Sequence, residues 1–427
     1  MSARALLAAL AMSVIGAAAH AETLVVTNAR LWTAAQAQPV DNATIVIKDG
    51  KVFTVGIGIK APAHARVIDA KGRLVTPGLM NAGTQLGLVE VSSVGDTTDQ
   101  AVTSGPLGAA FDVEYALNPN SMLLPRARAD GLTRAATYPS GSANAPFAGA
   151  AAVLRLSEGP DILDRAKAAM VVVTGGVAAA QHDGSRSAQW ILLRNALSEA
   201  KRYAQVAKGG PRDQLLNHLD AEALLPVVGG HEPLAVFASR ESDIREAVKV
   251  GDDFGVRVIV FGGQEAWRCA GLLARKHVAV VLDPLDDQPA TFDQMGARLD
   301  NAAILDRAGV TIAFSVPGIQ LSHNAGTGMR EAAGIAVANG LPWAQAMKAM
   351  TVNPAHIWNI EDHYGALAPG LDADLVIWDG DPLEPGSAPT TVLVRGQPVS
   401  LTTRQDLLRE RYAPGHRADA WPPAYRQ

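Results

Sequence analysis

The sequence predicts an α/β chain in which a (β/α)8 TIM-like barrel is inserted into a small discontinuous β-sandwich domain. Three observations carry this. Eight short β-rich runs alternate with helical stretches, and eight strands close such a barrel. Short strands with tight turns stand at both ends of the chain, outside that alternation. Between the first group and the barrel runs lies Leu74-Val75, then Pro77-Gly78, then Leu79-Met80, a strand, a turn and a new strand. The 427 residues suffice for both units.

Taken in order, residues 1–21 read as a secretory signal. Arg4 supplies the positive start, Ala5 to Ala18 an apolar core, and Ala19-His20-Ala21 a small-x-small cleavage site, with Glu22 the first mature residue. An uncleaved anchor is the alternative, although the apolar run is short for a span. No later stretch is apolar enough to cross a bilayer, so no membrane span is expected after cleavage. Leu24–Val26, Thr44–Lys48 and Lys51–Val55 read as strands, with Asp49-Gly50 a hairpin turn. Thr391–Arg395 and the hairpin Gly396-Gln397-Pro398-Val399 supply strands from the far end. Residues 22–76 and 365–402 therefore make the composite sandwich, 77–364 the barrel, and 403–427 a Pro-rich surface tail carrying Trp421.

The candidate barrel strands are Leu79-Met80, Thr133–Thr137, Ala151–Leu154, Met170–Thr174, Leu234–Phe237, Val256–Phe261, Val278–Leu282 and Val310–Phe314. The third could also be a loop hairpin. Helical stretches include Gln189–Ala207, Ser242–Phe254, Trp267–Lys276 and the run from Asn339-Gly340-Leu341-Pro342 to Met350. Val94–Asn120 is a long first loop, of a length that tends to serve as a lid or interface.

Composition narrows the function classes. Hydrophobic residues make up 48% and charged residues 19%, which is globular, not disordered. A net charge of −5 without a basic stripe gives no case for nucleic acid. Cys269 is the only cysteine, so an intrachain disulfide and a thiolate metal site are both excluded.

The passage Asp69–Glu90, DAKGRLVTPGLMNAGTQLGLVE, resembles the amidohydrolase superfamily in its periplasmic imidazolonepropionase-like branch. Gly365–Asp379, GALAPGLDADLVIWD, resembles that family's later Gly-x-Leu-x-Pro-Gly-x-x-Ala-Asp-Leu-Val run. The resemblance implies a periplasmic protein acting on C–N bonds. It also implies a divalent metal at the C-terminal ends of the strands, lowering the pKa of a water and polarising a carbonyl. The ligands would be a His-x-His pair after strand one, a His after strand five, often a His after strand six, and an Asp after strand eight.

This chain departs from that pattern at every position. Gly83 and Gln85 stand in the His-x-His pair, Phe237 in the strand-five position, and Ser315-Val316 where the aspartate belongs. Phe261-Gly-Gly-Gln-Glu-Ala-Trp267 contains no histidine. Glycine has no side chain to offer, and an amide oxygen is a weak neutral ligand. No cofactor is expected, and a divalent metal such as zinc only if the site is rebuilt. Candidates for a rebuilt catalytic set are Asp283, His323 and Glu90. Candidates for ligand binding are Gln85, Arg240, Asp286 and His182. Each has a plainer reading: the aspartates can cap the next helix, Glu90 can face water, Arg240 can pair with Glu241, and the histidines can sit in solvated loops. His231 precedes its strand and is expected at the opposite end of the barrel.

The function expected is a member of the family depleted in metal ligands that binds a small peptide-like or cyclic amide ligand. One alternative is an active amidohydrolase cleaving a C–N bond through a rebuilt site. The other is a non-catalytic subunit partnering an active paralogue; the protein partners expected are further copies of this chain or a paralogue.

Overall fold

The computed structural model describes residues 23–142, 146–181, 184–205, 215–316 and 323–413. The expected signal at residues 1–21, His182 and the expected tail from residue 414 lie outside the described residues. The chain opens with β1 (Leu24–Leu31), β2 (Val40–Lys48) and β3 (Lys51–Ile57), paired antiparallel in that order. Asp49 and Gly50 join β2 to β3 with φ of 52° and 75°, the two left-handed residues that a tight hairpin requires. β4 (Arg66–Asp69) and β5 (Leu74–Pro77) then run parallel to successive parts of β1.

Pro77-Gly78 is the crossing point. Gly78 is needed for close approach: a Cβ there would lie 2.1 Å from the Thr133 hydroxyl. Beyond it come β6 (Leu79–Thr84), β7 (Ala101–Val102), β8 (Leu132–Thr137), β9 (Gly141–Ser142), β10 (Phe147–Arg155) and β11 (Leu163–Val173). β12 (Leu234–Ala238), β13 (Val258–Gly262), β14 (Ala279–Leu282) and β15 (Ile312–Phe314) follow. Eight of these form one sheet in the order β15-β14-β13-β12-β11-β10-β8-β6, and they coincide with the eight expected runs. β7 and β9 form a separate parallel ladder that ties the long loop after β6 to the loop after β8.

The barrel departs from an all-parallel (β/α)8 sheet in two ways. β10 is antiparallel to both β8 and β11. Only residues 156–162 join β10 to β11, too few for a crossover helix, so the chain must return as a hairpin. The barrel is also nearly, not fully, closed by strand pairing. The edge strands β6 and β15 are bridged by other backbone: Met80 N–H donates to the Met350 carbonyl at 2.8 Å, and Phe314 N–H to the Ala349 carbonyl at 3.0 Å.

Alternation along the strands separates two cores, as the two-residue period demands. Met80, Ala82, Ala136, Ala151, Ala169, Ala235 and Ala313 face the barrel interior. Leu79, Leu132, Met170, Leu234, Val260 and Ile312 face the surrounding helices. The alanine-rich interior leaves room that Trp358 fills; its indole N–H donates to the Ala82 carbonyl at 3.2 Å.

The helices match expectation with shifted ends. They span Arg186–Gln205 and Glu241–Phe254, the latter stopped by Gly255 at φ 67°. The Trp267–Lys276 stretch splits into a 3-10 turn, Ala266–Cys269, and a helix, Ala270–Arg275. The expected run to Met350 is a short helix, Trp343–Lys348. Among the described residues no helix is long and apolar enough to cross a membrane.

The chain then returns to the first sheet. β16 (Leu375–Trp378) pairs antiparallel with β5, followed outward by β17 (Pro389–Val394) and β18 (Gln397–Pro398). Both chain ends thus build one continuous eight-stranded sheet, ordered β18-β17-β16-β5-β1-β2-β3 with β4 on β1. The expected sandwich is, in its hydrogen bonding, this single ladder. Thr403 caps a final helix, Arg404–Tyr412, through a reciprocal pair with Asp406. This part of the expected tail is ordered and buries none of its helical residues.

Sheet and barrel are joined by one buried ion cluster. Arg134 on β8 is fully buried and pairs with Asp164 at 3.0 Å, Asp372 at 2.9 Å and Asp374. Asp372 and Asp374 belong to the segment just before β16. The Tyr364 ring stacks 4.9 Å from the guanidinium, and its hydroxyl donates to the Gly78 carbonyl at 2.6 Å.

Candidate functional site

Strands that run parallel deliver their C-terminal ends to one face, and a cavity of about 430 Å³ opens there. Gln85 follows β6, Tyr138 follows β8 and Thr174 follows β11; Phe237 and Ala238 end β12. Phe261 and Gly262 end β13, Asp283 follows β14 and Ser315 follows β15. Asp286, Asp293 and Gln294, from the loop after β14, complete one wall.

The floor is aromatic. The rings of Tyr138 and Phe237 lie 5.2 Å apart, Phe237 and Phe261 4.9 Å, and Tyr138 and Phe261 5.8 Å. They crowd Gly83, where a Cβ would sit 2.9 Å from a Phe261 ring carbon and 3.3 Å from both Tyr138 and Ser315. An imidazole at that position would have to displace Phe261. The phenyl group of Phe237 and the buried Val316 likewise put apolar groups where the resemblance implies metal ligands. Among the described residues no group of three or more His, Cys, Asp or Glu side chains could hold a metal ion. Gly83, Phe237 and Val316 offer no ligand atom to a divalent cation from their side chains.

The polar wall is acidic. Asp283 is 5% exposed, and one carboxylate oxygen accepts from the Leu285 N–H at 2.9 Å. Burial pushes its carboxyl up to about 6, and the charge of Asp286 adds to the rise. Asp286 accepts from the side-chain amides of Gln264 at 2.7 Å and Gln294 at 2.9 Å; burial raises it as well. Asp293 accepts from the Gly176 N–H at 2.7 Å and pairs with Arg186, which also holds Asp243 at 2.9 Å. Behind the wall, Asp287 accepts from Asn301 at 3.2 Å, and burial puts it at about 8.

Of the residues expected from sequence, Gln85, Asp283 and Asp286 come together in this cavity. Glu90, Arg240 and His323 do not line it. Glu90 accepts from the Asn118 side chain and the Met122 N–H, both at 3.1 Å, and so clamps the long loop. Arg240 stands just before the helix Glu241–Phe254, and His323 just before the helix Thr327–Ala338. His182 falls outside the described residues. Sequence reasoning missed Tyr138, Gln264, Asp293 and Gln294. Tyr138 carried a usable signal, an aromatic residue directly after a strand. Asp293 and Gln294 lie in an aperiodic loop and carried none.

Comparison with known proteins fits this frame. The Amidohydrolase family profile matches residues 295–403, from the loop after β14 through β18. Amidohydrolase tasK of Hapsidospora irregularis is 40% identical over 57 residues, which are 13% of this chain and 6% of that protein. A dihydroorotase of Anaeromyxobacter sp. (strain K) is 29% identical over 174 residues, 38% of this chain and 35% of that protein. The matches thus span much less than the full length of these relatives. Among solved structures, an amidohydrolase from Thermotoga maritima MSB8 superposes with a TM-score of 0.80. It covers 88% of this chain and 99% of its own at 24% identity, a likeness of fold.

Proposed function

We propose that this chain, which carries an amidohydrolase family match at residues 295–403 on an amidohydrolase fold, binds a small peptide-like or cyclic amide ligand at its barrel mouth without a resident metal ion. The observation that carries the reading is the ring cluster beside Gly83, which crowds any side chain added at that position. What remains suits an amide. Planar apolar faces can lie on Phe237 and the neighbouring rings, while the side chains of Gln85, Gln264, Ser239 and Ser315 are within the same cavity. Membership of the imidazolonepropionase-like branch and a periplasmic location after removal of residues 1–21 belong to the same proposal.

Elemental analysis of the purified mature protein, paired with calorimetric titration of small dipeptides and cyclic imides, tests it. Substoichiometric metal with saturable binding is the expected result. Stoichiometric zinc, manganese or iron would overturn it.

A second reading is favoured by one group. Asp283, buried and pushed up to about 6, is largely ionised at neutral pH and lines the cavity. A carboxylate so placed can take a proton from a water adding to an amide carbonyl carbon and return it to the nitrogen as the C–N bond breaks, which would make the protein a metal-independent hydrolase. Slow turnover of a bound amide that is lost in Asp283→Asn, with ligand still bound, would select this reading over binding alone.

A further inference from the structure

The cavity carries charge of one sign. Asp283, Asp286 and Asp293 line it, and no lysine, arginine or histidine does among the described residues. Asp293 is balanced by Arg186. Among the described residues, Asp283 and Asp286 are met by neutral donors: the Leu285 N–H and the two glutamine amides. Carboxylates withdrawn from water in this way are ordinarily paired with a cation.

A second, independent observation points the same way. Gln85 is 1% exposed and Gln264 4%, and both line the cavity. Among the described residues the side-chain carbonyl oxygen of each meets no donor. The orientation of Gln264 is held by its amide N–H bond to Asp286, so the group left open is an acceptor. Buried acceptors of this kind are costly unless something supplies N–H groups to them. The third element is the ring cluster of Tyr138, Phe237 and Phe261, whose negative faces attract cations.

We infer that the ligand bears a cationic nitrogen, an ammonium, amidinium or guanidinium group, on an apolar or amide-containing body. Its N–H groups donate to Asp283, Gln85 and Gln264, and its body lies on the rings of Phe237 and Phe261. This specifies the ligand class of the proposed binding site and rests on that reading. An anionic ligand is disfavoured by the same carboxylates, because it would add a like charge in a poorly hydrated space.

Three probes of nearly one shape separate the possibilities: benzamidine, a cation; benzamide, neutral; and benzoate, an anion. Each is titrated calorimetrically into the purified mature protein at a pH above the Asp283 midpoint. Benzamidine is expected to bind at least about tenfold tighter than benzamide, with benzoate weakest. Asp283→Asn and, separately, Asp286→Asn should shrink the benzamidine-to-benzamide ratio several-fold. Phe237→Leu, a third variant that keeps the charges, should weaken benzamidine. Thermal melts confirm that each variant is folded. Benzamide binding as tightly as benzamidine would overturn the charge preference and leave the amide-binding reading standing. A benzamidine preference untouched by all three variants would place the cation site elsewhere and also overturn the inference. Binding of none of the probes would overturn the cavity reading together with it.

Discussion

At the scale of single residues, the structure turns on side chains whose surroundings contradict their type. Glu232, just before β12, is 4% exposed, and one of its carboxylate oxygens has no hydrogen-bond partner. Burial is the largest cause of its raised pKa; Lys167 and Arg165 oppose the rise and Asp112 adds to it. The result is about 8 against an ordinary 4.5. The unfolded chain therefore releases this proton earlier than the folded one. The stabilisation from protonated Glu232 is full below about 4.5 and is lost as pH rises through about 8. Glu232→Gln should flatten that limb in a series of urea melts and leave stability below 4.5 little changed. An unchanged pH profile would assign the effect to another group. Gly83 offers a different test. Gly83→His must push Phe261 aside, and overpacking of this kind costs about 1–3 kcal/mol. A lowered melting temperature without any gain of zinc affinity is the expected outcome.

At the scale of elements, the barrel shows where local pattern stops being informative. The eight strands were legible because each alternates between an inner and an outer core, a property of neighbouring residues. The direction of β10 was not, because direction depends on how the linking residues travel. With only residues 156–162 available, the chain has no length for a helix and turns back. Closure was equally hidden. Ala349 and Met350, far along the chain, accept the edge hydrogen bonds of β15 and β6. Trp358 fills the alanine-lined interior near the same seam, and its ring lies 6.0 Å from Phe261. Trp358→Ala should therefore cost about 3–5 kcal/mol in denaturant unfolding. It should also loosen the ring cluster, which the aromatic circular dichroism band reports. An intact near-ultraviolet signal would show that the cavity floor does not depend on this residue.

At the scale of the whole molecule, Arg134 is the buried charge at the junction of the two sheets, beside an apolar contact in which Trp378 and Val392 join the barrel's outer core. Arg134 is buried against Asp164, Asp372 and Asp374, and Asp164 is held down at about 2, with burial opposing and His363 and Arg134 favouring ionisation. Arg134→Met would leave the buried Asp374 without a cation partner and strip one from Asp164 and Asp372, which keep Arg155 and Arg395. Breaking buried pairs in this way costs about 3–5 kcal/mol. Denaturant unfolding should shift to lower concentration, and the outer sheet and barrel should separate into two transitions. A single transition at the parental midpoint would remove the cluster from its linking role. The amino-acid sequence by itself determined the strand and helix positions, the joining of the two chain ends in one unit and the absence of histidine from the metal positions. Those follow from side-chain periodicity, turn residues and identity, which are local. The tertiary structure alone decided that Gln85, Asp283 and Asp286 meet while Glu90, Arg240 and His323 stay outside. It alone decided that aromatic rings fill the space over Gly83 and that Asp283 titrates near 6. These depend on which distant strand ends converge and on how much water they exclude, and neither quantity is written in the order of neighbouring residues.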